Sequence, residues 1–222
     1  MQHNFKDFQN IGIEVPEILI PNSNIDLKKW AVIACDQFTS EPEVWNKIES
    51  YVGEEKSTLR LILPELYLGV EDVKSRIQSI WKNMDEYLNG NTFQKLEPGF
   101  IYVERTTQES GTRKGLILAV DLEAYDFQPG SKSLIKATEG TIIERIPPRK
   151  QIREKAALEL PHILLLIDDP DKNIIESLSD KKDTLEKLYD FELMDEGGHI
   201  EGYHVRNEAD LVQLLGGFRH LA

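Results

Sequence analysis

Residues 100–107 and 114–121 are two strand-like runs separated only by the turn-forming segment Gln108-Glu109-Ser110-Gly111-Thr112 and its neighbours. A connection this short closes an antiparallel hairpin, because parallel neighbours need a crossover of a dozen or more residues. Parallel order therefore cannot run through the middle of the chain, and a doubly wound α/β sheet is ruled out there.

The remaining pattern mixes strands and helices without regular alternation. Residues 15–20 and 30–35 are short, β-branched-rich apolar runs bounded by Pro, Asn and Asp, and are expected to be buried strands. Ser40 followed by Glu43 has the spacing of a capping box, so a helix is expected to begin near Glu41 and to stop at Gly53. Leu59, Leu61 and Leu63 alternate like a strand. Val70, Val73, Ile77, Ile80, Trp81, Met84 and Leu88 mark one face of a helix ending at Gly90. Residues 162–167 read as a central strand, 182–189 as a helix, 191–205 as a segment folding back at Gly197-Gly198, and 210–215 as a last short helix opened by Asn207. The expected fold class is α+β: a mixed sheet with antiparallel hairpins and several flanking helices, in a single domain over residues 1–222.

Composition narrows the function classes. The chain has 222 residues, 40% of them hydrophobic, enough for a substantial core. Its 39 acidic against 26 basic residues give a formal net charge of -13, which repels a phosphate backbone or an anionic membrane. Neither nucleic acid nor a membrane is expected as a partner. No apolar run approaches the roughly 20 residues of a membrane span, and the first ten residues lack the basic and apolar regions of a signal peptide, so a cytoplasmic location is expected. Cys35 is the only cysteine, which excludes an intrachain disulfide and any multi-thiolate metal site.

Four constellations can carry chemistry. In Ala-Cys-Asp-Gln-Phe-Thr-Ser at 34–40 a strand runs into a loop that opens a helix, so Asp36 can accept a proton or hydrogen bond and Gln37 can orient a ligand. The same residues also read as plain structure, with Ser40 capping, Asp36 turning the chain and Cys35 a small buried apolar residue. Residues 136–155 concentrate Arg145, Arg149, Lys150, Arg153 and Lys155 in an acidic chain, a ready site for phosphate or carboxylate. Glu139, Glu144 and Glu154 offer the alternative of internal ion pairs. Asp168 and Asp169, at the end of the 162–167 run, are candidate ligands for a hard cation such as Mg2+, but Asp169 before Pro170 is equally a helix cap. His162, at the edge of that run, reads as either a structural residue or a base. Finally, His199 and His204 are expected on the two arms of the Gly197-Gly198 turn, with no third ligand in view to make a zinc site. No motif names a cofactor.

Segments WAVIACDQFTSEPEVW (30–45), STLRLILPELYL (57–68), SLIKATEGTIIERIPPR (133–149) and LPHILLLIDDP (160–170) together resemble the N-terminal half of the domain of unknown function 1015 family. The resemblance spans most of residues 15–175. It implies an N-terminal module of a longer architecture, whose C-terminal half carries a Gly/His motif like the catalytic loop of the ParB and sulfiredoxin superfamily, some of whose members are nucleotide-dependent kinases or hydrolases. On this basis the chain is expected to serve a small-molecule or nucleotide-handling enzyme, holding an anionic ligand with Arg145 and Arg149 opposite Asp36 and Gln37. The competing expectation is a non-catalytic folding or protein-interaction domain. Without the second half, Leu211, Val212, Leu214 and Leu215 are expected to be partly uncovered and to favour a homodimer.

Overall fold

Helix α1 (Gln2–Gln9) places Phe8 in the core, and the chain then forms the short strands β1 (Ile13–Glu14) and β2 (Leu19–Pro21). The computed structural model describes residues 2–124, 126, 128, 130–131, 143, 146–160, 162–167 and 169–221. Only fragments of the expected 15–20 strand enter a ladder, because Pro16 lacks the N–H that a continuous ladder needs. Helix α2 (Leu27–Trp30) follows, opened by the Asp26 side chain accepting from the Lys28 N–H at 2.9 Å.

Residues 30–35 do not form the expected strand. Trp30 ends α2, and its carbonyl accepts from the Thr58 hydroxyl (2.7 Å) and the Ser57 hydroxyl (3.2 Å) instead of from a neighbouring strand. The expected 59–63 strand is likewise a 3-10 turn, Thr58–Arg60, leading into a buried loop. Leu61 and Leu63 alternate because that loop puts both into the core, not because a sheet is present.

Helix α3 (Pro42–Val52) buries Trp45, Ile48 and Val52, each contributing on the order of 1.5–3 kcal/mol by removal from water. It starts without the expected capping box: Glu41 is the cap, no side chain bonds it, and Pro42 at the first position presets the helical φ. Helix α4 (Val73–Asn89) follows the expected periodicity and ends at Gly90, burying Ile77, Ile80, Met84 and Tyr87.

Strand β3 (Phe93–Lys95) pairs with β2. Strands β4 (Phe100–Thr107) and β5 (Gly111–Ile117) form the expected hairpin, and β6 (Ala119–Val120) pairs with β1. Beyond it lie α5 (Ile146–Arg153) and α6 (Ile175–Ser179). The segment expected to be helical at 182–189 is a 3-10 turn, Lys182–Thr184, running into the first half of β7 (Glu186–Leu193), which pairs with β8 (Gly198–Val205). Sheet pairing there overrides local helical spacing, as tertiary context commonly does. The chain folds back at residues 194–197, closed by the Gly197 N–H donating to the Met194 carbonyl at 2.9 Å, and Gly198, φ 87°, opens β8 so close to β4 that a Cβ would meet the Thr106 carbonyl oxygen at 2.1 Å.

The main sheet has the order β5-β4-β8-β7, and every described ladder is antiparallel. The molecule is α+β. One end of the sheet face, Phe100, Tyr102, Tyr203 and Val205, packs on Phe8, Ile174, Leu178, Leu211, Leu214 and Leu215. Helix α7 (Glu208–Leu221) supplies the last three, opened by the Asn207 side-chain oxygen accepting from the Asp210 N–H at 2.9 Å. This overturns the expected uncovered face. Leu211, Leu214 and Leu215 are buried, and of the four only Val212 is exposed.

The run 162–167 is not a central strand. It carries no regular secondary structure, it joins no ladder among the described residues, and its side chains are exposed. No helix among the described residues is long and apolar enough to cross a membrane.

Candidate functional site

After residues 31–34, which form no regular element, the chain turns at Asp36 and Gln37, where the Gln37 N–H donates to the Ala34 carbonyl at 3.1 Å. Two bonds fix the turn. The Glu65 N–H donates to the Cys35 carbonyl (2.8 Å), and the Trp45 indole donates to the Phe38 carbonyl (3.2 Å). Helix α5 is anchored beside it by the Trp81 indole, which donates to the Ile152 carbonyl at 2.7 Å. Arg149 thereby reaches the Glu65 carboxylate, with its Nε at 3.1 Å and an Nη2 bond as well.

Of the four predicted binding residues, Asp36 and Arg149 therefore fall within electrostatic reach of Cys35 and of one another. Gln37 sits in the same turn, exposed. Arg145 lies outside the described residues. The partner that sequence reading missed is Glu65, whose carboxylate occupies part of the Arg149 fork and raises its basicity further. Burial pushes the Cys35 thiol up, and Asp36 and Glu65 push it further, while Arg149 only partly opposes them. Cys35 is thus held as a thiol, the reverse of an activated nucleophile.

Of the two predicted cation ligands, Asp169 is the one within the described residues. The Asp169 side chain accepts from the Ile174 N–H at 2.9 Å, bracing the turn ahead of α6, whose N-cap residue Ile174 makes no side-chain cap bond. Asp168 lies outside the described residues. His162 is exposed. His199 and His204 are both on β8, five residues apart, so the pleat sends them to opposite faces.

A dense set of charged side chains among the described residues lies on the main sheet. One cross-strand row reads Lys114, Glu104, Glu201, Asp190 across β5, β4, β8 and β7, flanked by a row containing Tyr102, Tyr203 and Lys187 and another containing Thr106, His199 and Glu192. Lys182 bridges Glu104 (2.7 Å) and Glu201 (3.2 Å), and Lys187 bridges Asp190 (2.6 Å) and Glu201 (2.9 Å). The Tyr203 hydroxyl donates to Glu201 at 2.8 Å, and the Tyr102 hydroxyl donates to Glu104. The Lys187 bond, opposed by burial and aided by Tyr203 and Lys182, holds the Glu201 carboxyl at about 2. Burial raises Glu104, but the Lys182 and Tyr102 bonds outweigh it and leave that carboxyl below its ordinary value. Period-two alternation in Tyr102/Glu104 and His199/Glu201/Tyr203 is the signal that places these groups on one face. It becomes informative only once β7, β8 and their register are known.

The family model described as a protein of unknown function (DUF1015) matches residues 19–221, nearly the whole chain. The chain belongs to this family. The match runs well beyond the four segments that first suggested it, taking in β7, β8 and α7, so both the Asp36–Arg149 turn and the charged sheet face are family territory. No curated protein and no solved structure matches the DUF1015 chain.

Proposed function

We propose that the chain is a protein-interaction module that lends residues 163–167 as a strand to the sheet of a separate domain. One observation carries this reading: in an apolar run that joins no ladder among the described residues, Ile163, Leu164 and Leu166 are 79%, 82% and 77% exposed, and as a strand that run would carry apolar side chains on both faces. A strand apolar on both faces belongs inside a sheet covered on both sides. Two copies pairing through this segment would still leave both faces of a two-stranded ribbon in water, which is marginal at best. The occupant that fits is a domain with its own sheet and flanking layers, such as the remaining half of the longer architecture that the resemblance implies.

Sedimentation of the chain mixed with the C-terminal domain of a longer family member tests this. A complex is expected that protects the amides of 163–167 from exchange and is lost in Leu164→Asp/Leu166→Asp. Absence of a complex, or one indifferent to those substitutions, would overturn it, as would self-association abolished by the same substitutions.

A second reading has its own support in the approach of Arg149 to Asp36 and Cys35. In it, the turn takes a small anion, phosphate or carboxylate, which competes with Glu65 for the guanidinium fork. Calorimetric titration with phosphate and ATP tests it: Glu65→Gln should tighten binding and Arg149→Ala abolish it, and no saturable heat in any variant sinks the idea.

A further inference from the structure

Among the described residues, Asp190, His199 and Glu201 are the group whose potential metal-ligating atoms come together, all within 4.8 Å of one another. The set is fixed by the sheet. Asp190 and Glu201 are register partners across β7 and β8, and His199 lies two residues before Glu201 on the same face. All three keep some exposure to solvent, so an ion has a way in.

The orientation of His199 suits a ligand. Its Nε2 faces Asp190 at 2.9 Å, while its Nδ1 is held by the Glu192 carboxylate at 2.8 Å. A carboxylate on the far nitrogen is the usual support of a metal-bound imidazole, because it fixes the ring and strengthens the donor. A cation already occupies the locus: the Lys187 ammonium bonds both Asp190 and Glu201. Lys187 is on a long, partly exposed side chain and can swing away, whereas the three ligands are held by adjacent strands.

We infer that Asp190, His199 Nε2 and Glu201 form a site for a divalent transition-metal ion of the zinc class, which displaces the Lys187 ammonium. One imidazole with two carboxylates is a borderline nitrogen and oxygen donor set, which Zn2+ accepts. Mg2+ prefers all-oxygen, largely hydrated coordination and is disfavoured by the imidazole. Three protein ligands leave a tetrahedral ion one open position, the arrangement of a site that holds water or substrate.

Titration of the full chain with ZnCl2 by calorimetry, with MgCl2 in parallel, decides it. One saturable Zn2+ site is expected, lost in His199→Ala, weakened about tenfold in Glu192→Gln through the support it gives the ring, and tightened in Lys187→Met, which removes the competing cation. His220→Ala, at an exposed histidine beside Asp171, should leave the isotherm unchanged. No saturable Zn2+ binding, unchanged binding in His199→Ala, stronger Mg2+ than Zn2+ binding, or weakened binding in Lys187→Met would each overturn the assignment. Circular dichroism confirms that each variant is folded, and Lys187→Met keeps the test decisive should His199→Ala unfold, since its expected effect has the opposite sign.

Discussion

Glu104 and Glu201 stand directly opposite each other on β4 and β8, and the two carboxylates share one ammonium, that of Lys182, at 2.7 and 3.2 Å. Like charges in register destabilise a sheet unless a counter-charge lies between them. Glu104 is buried, so loss of the bridge would leave a carboxylate with too little water and too few partners.

Lys182→Met is therefore expected to cost about 2 kcal/mol, less than the full penalty of a deeply buried pair because Lys182 retains some exposure. Adding Glu104→Gln to that variant should recover part of the loss. Urea unfolding of the two variants measures both effects, and a double variant no more stable than the single one would show that Lys182 acts by packing alone.

Acid should unfold the protein partly through Glu201. Its folded carboxyl sits at about 2, below an ordinary value near 4.5, so the unfolded chain takes up the proton first. The stability it contributes is present above about pH 4.5 and disappears as pH falls towards 2. Glu201→Gln is expected to be less stable than the parent at neutral pH, with the difference narrowing between pH 4.5 and 2 in thermal melts.

His204 gives a second acid-sensitive step at higher pH. Burial lowers its tendency to protonate, its Nε2 has no hydrogen-bond partner among the described residues, and Glu186 lies at 3.8 Å from Nδ1. The unfolded imidazole protonates near 6.5 and the folded one below that, so stability is full above 6.5 and falls as pH drops through the window beneath it. Melting temperature measured from pH 8 to 5 should fall below 6.5 in the parent and less steeply in His204→Leu.

Gly202 lies under the ring of Tyr189, and a Cβ there would stand 2.1 Å from the ring's Cζ. Gly202→Ala must push the ring aside and is expected to cost about 1–3 kcal/mol, as overpacking does. Tyr189→Leu placed in the same chain should return part of it. If Gly202→Ala alone leaves the urea midpoint unchanged, the ring is free to move and the close contact is not a constraint.

Local patterns were enough where an element owes its form to its own residues. The 3.6-residue spacing from Val73 to Met84 with Gly90 beyond it fixed α4, although its last buried position is Tyr87 and the expected Leu88 is exposed, and the short turn between β4 and β5 fixed their antiparallel pairing, since no other connection of that length exists. The family was legible in the same way, from segments quoted in order. Leu59, Leu61 and Leu63 show where this fails: alternation reports burial on one side, and a loop clamped by Ser57 and Thr58 hydroxyls buries alternate residues as well as a strand does.

Asp36 and Arg149 were readable as polar residues in suggestive places, but Glu65, which ties Arg149 to the backbone of Cys35, was not. Its role depends on α5 being anchored to Trp81 at Ile152, a contact 71 residues apart in the chain. The charged face was hidden for the same reason. Sequence determines which residues alternate along β4, β7 and β8, whereas only the register of three strands, one of them nearly a hundred residues from the others, decides that Glu104, Glu201 and Asp190 form one row. Charge and alternation are local properties of a chain, while the distance between two charges, which sets their energy, belongs to the folded molecule.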